Sequence, residues 1–374
     1  MSLRVLHVVR QYLPSVGGME DVVRQIARQQ LAAGQHPRVV SLDRIFHDRR
    51  APLPAAEDVE GVPVQRLAFA GSRRYPLCPQ ALGALGEADV IHVHGVDFFF
   101  DYLAATQRIH RRPLVASTHG GFFHTAFAAP LKRAYFRTIT RQSARAYARI
   151  VATSEHDGTL FAPILADRQL SVIENGVDIA KFRDAAAPSP TPTLICFGRW
   201  SANKGLAETL DLLAHLQALD PAWRLILAGR PFDHHAGDLA GWAAARGLQH
   251  AVRIVADPTE GEIAALIGEA SYFVSLSRHE GFGLAAIEAL SAGLQPVLSD
   301  IPPFRRLVEL SGQGLLVNRD DLPSAAIRLA KSHQAASVDA PERRRQCLAF
   351  AQGYDWSQVA QRYFEVYADV ERSR

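Results

Sequence analysis

Two clusters in the second half of the sequence combine cations, carboxylates and glycines in a pattern that suits a phosphorylated ligand. The first, Phe197–Gly205 (FGRWSANKG), contains Arg199 and Lys204. Gly198 allows close approach of the backbone, and the two cations can converge on one anion where a helix is expected to begin. A surface turn with two solvated cations is the alternative. Lysine is scarce in this chain, with only four, which favours a functional role for Lys204.

The second cluster, Arg278–Leu284 (RHEGFGL), follows an apolar run and leads into a segment that contains Glu288. Gly281 and Gly283 offer backbone N–H groups at the expected start of a helix. If the whole segment were helical, Glu280 and Glu288 would lie about 12 Å apart along its axis. Because a glycoside hydrolase needs its two carboxyl groups within roughly 5–9.5 Å, this spacing instead suits the two ends of an elongated ligand, a sugar and a ribose.

The sequence predicts no bound metal ion and no other cofactor. No two aspartates stand two positions apart, so the Asp-x-Asp pattern that holds a divalent cation on a diphosphate is missing. His92, His94 and His119 have no Cys-x-x-Cys or His-Glu-x-x-His partner, and isolated histidines in strands are more often packed or hydrogen-bonded. If a nucleoside diphosphate leaves, fixed cations and helix ends must stabilise its charge, as Arg199 and Lys204 could.

Short apolar runs alternate with helical stretches along the chain, which predicts parallel sheets covered on both faces. A length of 374 residues exceeds what one hydrophobic core normally supports, roughly 250–300 residues. We predict a Rossmann-like domain over 1–178, a linker over 179–193, a second Rossmann-like domain over 194–352, and a final helix within 353–374 that packs back on the first domain. The proline-rich run Ala185–Thr193 (AAAPSPTPT) indicates the linker. Both clusters follow predicted strands, where ligands of such sheets bind.

Positive charge is concentrated in the first half of the chain, since residues 1–190 carry a net charge of +6 and residues 191–374 carry −3. A helix predicted over 131–149 places basic residues at every fourth position. They are Arg133, Arg137, Arg141, Arg145 and Arg149, with Lys132 beside them. Such a helix can lie on an anionic membrane surface, although a solvated helix face is the alternative. We call this row of basic residues the basic stripe. Nucleic acid is not expected as a partner, because no DNA- or RNA-binding motif accompanies the basic stripe and the second half of the chain is acidic.

Composition restricts the class of protein further. A hydrophobic fraction of 48% and a charged fraction of 21% are typical of a globular chain. The sequence contains no run of about 18 apolar residues, the length that a membrane-spanning helix requires. Three scattered cysteines suit reduced thiols better than a disulfide framework. We expect a cytoplasmic protein that attaches peripherally to the inner face of the cell membrane.

As a set, these motifs resemble the retaining glycosyltransferases of family 4, whose GT-B fold consists of two Rossmann-like domains facing each other across a cleft. The loop at Gly17-Gly18, the run Glu174–Asp178 (ENGVD) and both clusters carry the resemblance. A closer similarity, carried by the runs at 7–23, 94–104, 117–128 and 276–294, is to the α-mannosyltransferases of xanthan and acetan assembly. That branch implies transfer of mannose from GDP-mannose to cellobiosyl-diphosphopolyprenol, with an α-1,3 linkage, in exopolysaccharide biosynthesis.

The resemblance also implies roles for individual residues. Arg199 and Lys204 match the pair that neutralises the donor diphosphate. Glu288 matches the glutamate that binds the ribose, and Glu280 the one beside the transferred sugar. The remaining residues implied to bind the donor or to lie near the reacting centre are Gly18, His119, Ser154, Gly281, Phe282, Gly283 and Leu284.

The implied reaction retains the anomeric configuration. The diphosphate leaves through an oxocarbenium-like state and the acceptor hydroxyl attacks the same face, while Glu280 as a covalent nucleophile is the alternative. Other hypotheses are a GT-B transferase that uses a UDP-sugar or GDP-fucose, and a non-catalytic nucleotide-sugar binding protein. A nicotinamide-dependent dehydrogenase is disfavoured, because the loop after the first strand lacks the Gly-x-Gly-x-x-Gly pattern.

Overall fold

The computed structural model describes residues 3–15, 17–46, 52–73, 75–120 and 134–373. The chain forms two compact units. Unit 1 consists of Met1–Gly176 together with Trp356–Arg374, and unit 2 of Val177–Asp355.

Unit 1 is built on an eight-stranded sheet with the order β10-β9-β8-β7-β1-β2-β4-β3, in which only β3 runs antiparallel to its neighbour. A small hairpin, β5 and β6, lies outside this sheet. The strands are β1 (Val5–Val8), β2 (Arg38–Leu42), β3 (Ala56–Val59), β4 (Val62–Leu67), β5 (Ala70–Ser72), β6 (Tyr75–Leu77), β7 (Val90–His94), β8 (Leu114–Ser117), β9 (Arg149–Ala152) and β10 (Leu170–Val172).

The helices of unit 1 cover this sheet. In chain order they are α1 (Gly18–Ala32), α2 (Phe98–Ala105), α3 (Gln107–His110), a π-helical turn (Phe136–Thr140) that continues into α4 (Arg141–Ala144), and α5 (Glu155–Phe161). The last helix of the chain, α12 (Trp356–Arg372), also belongs to unit 1. Its apolar face buries Tyr363 and Tyr367 in one cluster with Val22 and Ile26 of α1, so the end of the chain completes the core of the first unit.

Unit 2 contains a six-stranded, fully parallel sheet. Its order, β13-β12-β11-β14-β15-β16, is the 3-2-1-4-5-6 arrangement of a dinucleotide-binding fold. The strands are β11 (Thr193–Trp200), β12 (Arg224–Pro231), β13 (Val252–Ala256), β14 (Tyr272–Ser275), β15 (Gln295–Ser299) and β16 (Leu315–Val317), and the helices are α6 (Leu206–Leu219), α7 (Ala236–Ala245), α8 (Glu260–Ile267), α9 (Leu284–Ser291), α10 (Pro302–Ser311) and α11 (Leu322–Gln352).

Side-chain alternation along β11 builds a core on each face of the unit 2 sheet. Leu194 and Cys196 lie in one buried cluster, whereas Ile195 and Phe197 lie in the other. Because successive side chains of a strand point to opposite faces, a continuous apolar strand requires helices on both sides. The order in which strands are added to the sheet reverses between β11 and β14, which run parallel, and the carboxyl ends of these two strands form the expected ligand-binding edge.

The predicted linker over 179–193 is wrong. Ile179, Phe182 and Ala186 are buried in a core cluster of unit 2, and the whole segment is part of the second unit. The chain passes between units at 176–177, before the proline-rich run, and again at 355–356. Proline content identified a segment without regular structure, but the apolar side chains that precede it determine where it packs.

Candidate active site

The two predicted clusters of unit 2 meet through Lys204 and Glu280. Lys204 Nζ donates to Glu280 Oε1 at 2.7 Å, and Ser277 Oγ donates to the same oxygen at 2.7 Å. The backbones of the clusters are joined as well, because Arg278 N–H donates to the carbonyl of Asn203 at 2.7 Å. The first cluster begins in the last residues of β11, and the second follows β14, the neighbouring strand. Parallel strands end at one edge of the sheet.

A glycine is required next to Lys204. Gly205 has φ +64°, and a Cβ built on it would lie 2.1 Å from the carbonyl oxygen of Leu276. Gly205 is also the residue from which α6 begins. The close approach of these two backbones therefore depends on the missing side chain, and it holds Lys204 within reach of Glu280.

Arg199 lies at the end of β11 rather than in a loop, because the strand continues to Trp200. Its guanidinium carbon is 5.4 Å from the centre of the exposed Phe232 ring, a cation–π contact. Across the sheet it stands in register with Arg230. Arg199 and Lys204 thus have different partners, but both belong to the edge formed by β11.

Glu288 is held by a second lysine. Lys181 Nζ lies 3.7 Å from Glu288 Oε1 and 3.2 Å from Glu260 Oε1. Burial raises the pKa of Glu288 above its ordinary value, and the charge of Lys181 opposes this rise. Each of the two predicted glutamates therefore has its own lysine. The assumption that Glu280 and Glu288 share one helix is wrong, because α9 begins only at Leu284.

The segment between the glutamates presents the start of α9. Gly283 has φ +89°, and a Cβ at this position would lie 2.8 Å from the Phe304 ring, so both backbone conformation and packing require glycine. At Gly281 a Cβ would meet nothing within 4 Å. Phe282 is half-buried and packs beside a core cluster of unit 2, whereas Leu284 is exposed. The first N–H groups of α9 can act as donors to an anion or a hydroxyl.

In unit 1, His119 follows β8 with a left-handed backbone, φ +50°. Its Nε2 is 3.0 Å from His94 Nδ1, and the two rings meet edge to edge, with their planes inclined by 29°. Burial lowers the pKa of His119 to about 4, so the imidazole is neutral at physiological pH. A neutral imidazole can exchange hydrogen bonds with a sugar hydroxyl without carrying charge.

Gly18 and Ser154, the other predicted residues of unit 1, each lie at the start of a helix. Gly18 is exposed as the first residue of α1, and a Cβ there would meet nothing within 4 Å. Ser154 caps α5, accepting a hydrogen bond from the backbone N–H of Asp157 at 3.1 Å. The cap gives Ser154 a structural role, and donor binding by either residue stays a prediction.

Part of the basic stripe is in the described chain, while Lys132 and Arg133 lie outside the described residues. Arg137, Arg141 and Arg145 are exposed. Arg149 does not belong to the stripe, because the helix ends at Ala144 and Arg149 begins β9. Side chains four residues apart on an α-helix are rotated by about 40° around the helix axis relative to each other. The wider π-helical turn at Phe136–Thr140 reduces this rotation.

Three histidines of unit 1 form a compact group. One ring nitrogen from each of His7, His92 and His94 lies within 4.8 Å of the others, a spacing that a metal ion can bridge. The group is buried, and its ring nitrogens are engaged in hydrogen bonds. His92 binds Tyr367 and Ser117 through its two nitrogens, at 2.7 and 2.8 Å. The residues thus have the donors for a metal, but those donors are already occupied within the protein.

Sequence reasoning missed Lys181, Ser277 and the buried histidines as parts of the site. Lys181 was recognisable by the scarcity of lysine, but no motif linked it to Glu288. Ser277 lies just before the Arg278–Leu284 cluster and is fully buried. Its contact with Glu280 depends on the turn after β14, which residue spacing does not specify.

Comparison with known proteins identifies the family. Residues 16–181 match the family model described as Glycosyltransferase Family 4, and residues 178–346 match Glycosyl transferases group 1. The chain is 51% identical to the GDP-mannose:cellobiosyl-diphosphopolyprenol alpha-mannosyltransferase of Xanthomonas oryzae pv. oryzae (strain PXO99A), covering 98% of this chain and 97% of the relative. It is 45% identical to the protein of the same name from Komagataeibacter xylinus, over 99% of this chain and 94% of the relative.

Solved structures show the same fold at low sequence identity. Anabaena Alr3699/HepE in complex with UDP superposes with a TM-score of 0.75 at 20% identity, over 98% of this chain and all of the other. A glycosyltransferase from Rickettsia africae ESF-5 gives 0.73 at 16% identity, over 99% and 98% of the two chains. These matches confirm the predicted GT-B class with two Rossmann-like domains. The chain belongs to glycosyltransferase family 4, and it is a hexosyltransferase of the GT-B fold.

Proposed function

We propose that this protein transfers mannose from GDP-mannose to a polyprenyl-diphosphate-linked cellobiose with retention of configuration, forming an α-1,3 linkage in exopolysaccharide biosynthesis. The observation that carries the proposal is 45–51% identity over nearly the whole chain to three proteins named GDP-mannose:cellobiosyl-diphosphopolyprenol alpha-mannosyltransferase.

The edge formed by β11 and β14 supplies the charges for a departing diphosphate. Arg199 and Lys204 bind the phosphate oxygens in this proposal. Lys204 is already oriented by Glu280, so little reorganisation accompanies the development of charge on the leaving group. Preorganised cations of this kind stabilise the transition state more than the ground state, and they act mainly on kcat.

Glu288 and the start of α9 bind the rest of the donor in this proposal. The carboxylate of Glu288 accepts hydrogen bonds from the ribose hydroxyls, and the charge of Lys181 opposes the rise in the pKa of Glu288 that burial causes. Backbone N–H groups at Gly281, Phe282, Gly283 and Leu284 donate to sugar hydroxyls and phosphate. Donor binding by Gly18 and Ser154, which belong to unit 1, is a separate prediction from the resemblance to the family.

Glu280 and His119 lie beside the transferred sugar in the proposed reaction. Glu280 shares its Oε1 between Lys204 and Ser277. A carboxylate that accepts two such donors is a weaker nucleophile, which favours stabilisation of the oxocarbenium-like state over covalent attack. The acceptor hydroxyl then attacks from the face that the diphosphate leaves, and the leaving phosphate takes its proton.

We propose that no metal ion takes part. The diphosphate charge is met by Arg199, Lys204 and helix N-termini. A metal at His7, His92 and His94 would have to displace hydrogen bonds, among them the 2.9 Å contact between His7 Nδ1 and His94 Nε2.

We also propose that the enzyme attaches to the anionic inner surface of the cell membrane, where a polyprenyl-linked acceptor resides. Within the described residues, none of the helices combines the length and apolar character needed to cross a bilayer. Arg137 and Arg141 are exposed on one short helical segment, with the 47%-exposed Ile139 between them, and Arg145 is exposed in the turn that follows. Cations near an anionic surface contribute about 1 kcal/mol each.

A donor and acceptor screen tests the proposal. The enzyme is incubated with GDP-mannose, GDP-fucose or a UDP-sugar, each with a cellobiosyl-diphosphate lipid, and the product linkage is read by NMR. We expect transfer from GDP-mannose with an α-1,3 linkage. Preferred transfer from a UDP-sugar, or an inverted product, would contradict the proposal. A matched acceptor with a lipid diphosphate but no disaccharide controls for hydrolysis of the donor.

A further inference from the structure

A chain of side-chain hydrogen bonds runs through unit 1 from Gln30 to His119. Gln30 Oε1 is 2.7 Å from His7 Nε2, and His7 Nδ1 is 2.9 Å from His94 Nε2. His94 Nδ1 is in turn 3.0 Å from His119 Nε2. Each contact has the length of a hydrogen bond. His7 and His94 take part through both ring nitrogens, and His119 takes part through Nε2.

The two middle members of this hydrogen-bond chain lie on strands of the sheet. His7 lies on β1 and His94 on β7, which are adjacent strands, and Gln30 lies on α1. Gln30, His7 and His94 are at most 1% exposed. Burial lowers the pKa of His7 to about 4 and places that of His94 well below its ordinary value. All three rings are therefore neutral at physiological pH, and each carries a single N–H.

The orientation of the first group determines the others. Gln30 Nε2 donates to Gln35 Oε1 at 3.3 Å, which turns Gln30 Oε1 toward His7. An amide oxygen can only accept, so His7 must hold its proton on Nε2. His7 Nδ1 is then an acceptor, and His94 must donate from its own Nε2. By the same step, His94 Nδ1 accepts and His119 donates from Nε2.

We infer that Gln30, acting through His7 and His94, is a positioning residue that fixes the tautomer of His119 and so leaves His119 Nδ1 unprotonated as a hydrogen-bond acceptor. This inference rests on the proposed function in one respect, that a substrate hydroxyl lies beside His119. The group that His119 Nδ1 recognises must be a donor, so it is a sugar hydroxyl and not a phosphate oxygen.

Histidine-labelled protein tests the inference before any substrate is added. Long-range ¹H–¹⁵N spectra at neutral pH distinguish a protonated Nδ1 from a protonated Nε2. We expect the Nε2–H tautomer for His7, His94 and His119 in the wild-type protein. An Nδ1–H tautomer at His94 or His119 in the wild type would overturn the inference without any variant.

Substitution of Gln30 then tests the coupling. Gln30→Met removes the acceptor at nearly constant length, and we expect the Nδ1–H form to rise together at all three histidines. The kcat/KM for glycosyl transfer should fall by about two- to tenfold, the value of one hydrogen bond. Gln25→Met is the matched control, since Gln25 is also buried on α1, and it should leave the three tautomers unchanged.

The results separate the inference from the proposed function. If Gln30→Met changes His7 but leaves His119 in the Nε2–H form, the coupling is refuted, whatever the activity. If the tautomers respond as expected but no nucleotide sugar is turned over by the wild type, the coupling stands and the proposed function fails.

Discussion

Lys204 and Glu280 are 76 residues apart in the chain, yet Lys204 Nζ donates to Glu280 Oε1 at 2.7 Å. Their side chains are mostly shielded, at 23% and 15% exposure. The pair joins the two clusters that spacing alone singled out, and it assembles a cation and a carboxylate at the switch point of the unit 2 sheet. The proposed chemistry of diphosphate departure depends on this pair.

Removal of the lysine charge should impair turnover. Lys204→Met keeps most of the apolar stem but removes the cation that stabilises the leaving diphosphate, and it leaves Glu280 without its ion-pair partner. We expect kcat for mannosyl transfer to fall by about 10²–10³-fold, with a smaller change in KM for the donor. Lys331→Met, at an exposed lysine of α11, is the control. Turnover within a few-fold of wild type would refute the role of Lys204.

The second lysine should govern the pH dependence of donor binding. Burial raises the pKa of Glu288 and Lys181 lowers it, so protonation of Glu288 weakens ribose binding as the pH falls through that pKa. Without Lys181 the raised pKa rises further, and the loss of binding begins at a higher pH. As the pH is lowered, we expect the KM for the donor to begin rising at a higher pH in Lys181→Met than in the wild type. Lys181→Arg, which keeps the charge, should restore the wild-type profile, and identical profiles for all three would contradict this prediction.

Glycine at position 205 should be essential for stability. Gly205→Ala would combine a left-handed backbone with a 2.1 Å approach to the Leu276 carbonyl. Gly247 has a similar φ of +69°, but nothing lies within 4 Å of its Cβ position. We expect Gly247→Ala to cost about 1–2 kcal/mol of unfolding free energy and Gly205→Ala clearly more, measured by urea denaturation. Equal losses would show that the backbone approach does not matter.

The basic stripe should bind membranes through charge. Replacing Arg137, Arg141 and Arg145 together with glutamine should abolish most of the salt-sensitive sedimentation with anionic vesicles. The control changes three exposed arginines of unit 2, Arg253, Arg305 and Arg345, which alters net charge equally and disrupts only surface ion pairs. Equal binding by both variants would refute the stripe, and so would a lack of wild-type binding.

The alternation of apolar strands and helices was sufficient to predict two parallel sheets, because a strand such as β11 is buried on both faces. It was insufficient for elements with mixed patterns. The antiparallel strand β3 has alternating exposed residues, and α10 begins with two prolines. The start of the second unit was misplaced at 194 instead of 177, because composition indicates irregular structure but not packing, which here depends on Ile179 and Phe182.

Candidate residues were predictable where a motif follows a strand, as with Arg199, Lys204 and Glu280. The partners of those residues were not. Lys181 reaches Glu288 across 107 positions of the chain, and the contact between His7 and His94 spans 87. Such pairs are determined by strand order, which local spacing does not encode.

The central claim is that protein cations, rather than a divalent metal ion, stabilise the departing diphosphate. The direct measurement is the initial rate of transfer from GDP-mannose to cellobiosyl-diphosphate lipid after exhaustive dialysis against EDTA, with and without added Mn²⁺ or Mg²⁺. We predict the same rate in all three conditions. A rate abolished by EDTA and restored by Mn²⁺ would contradict the claim.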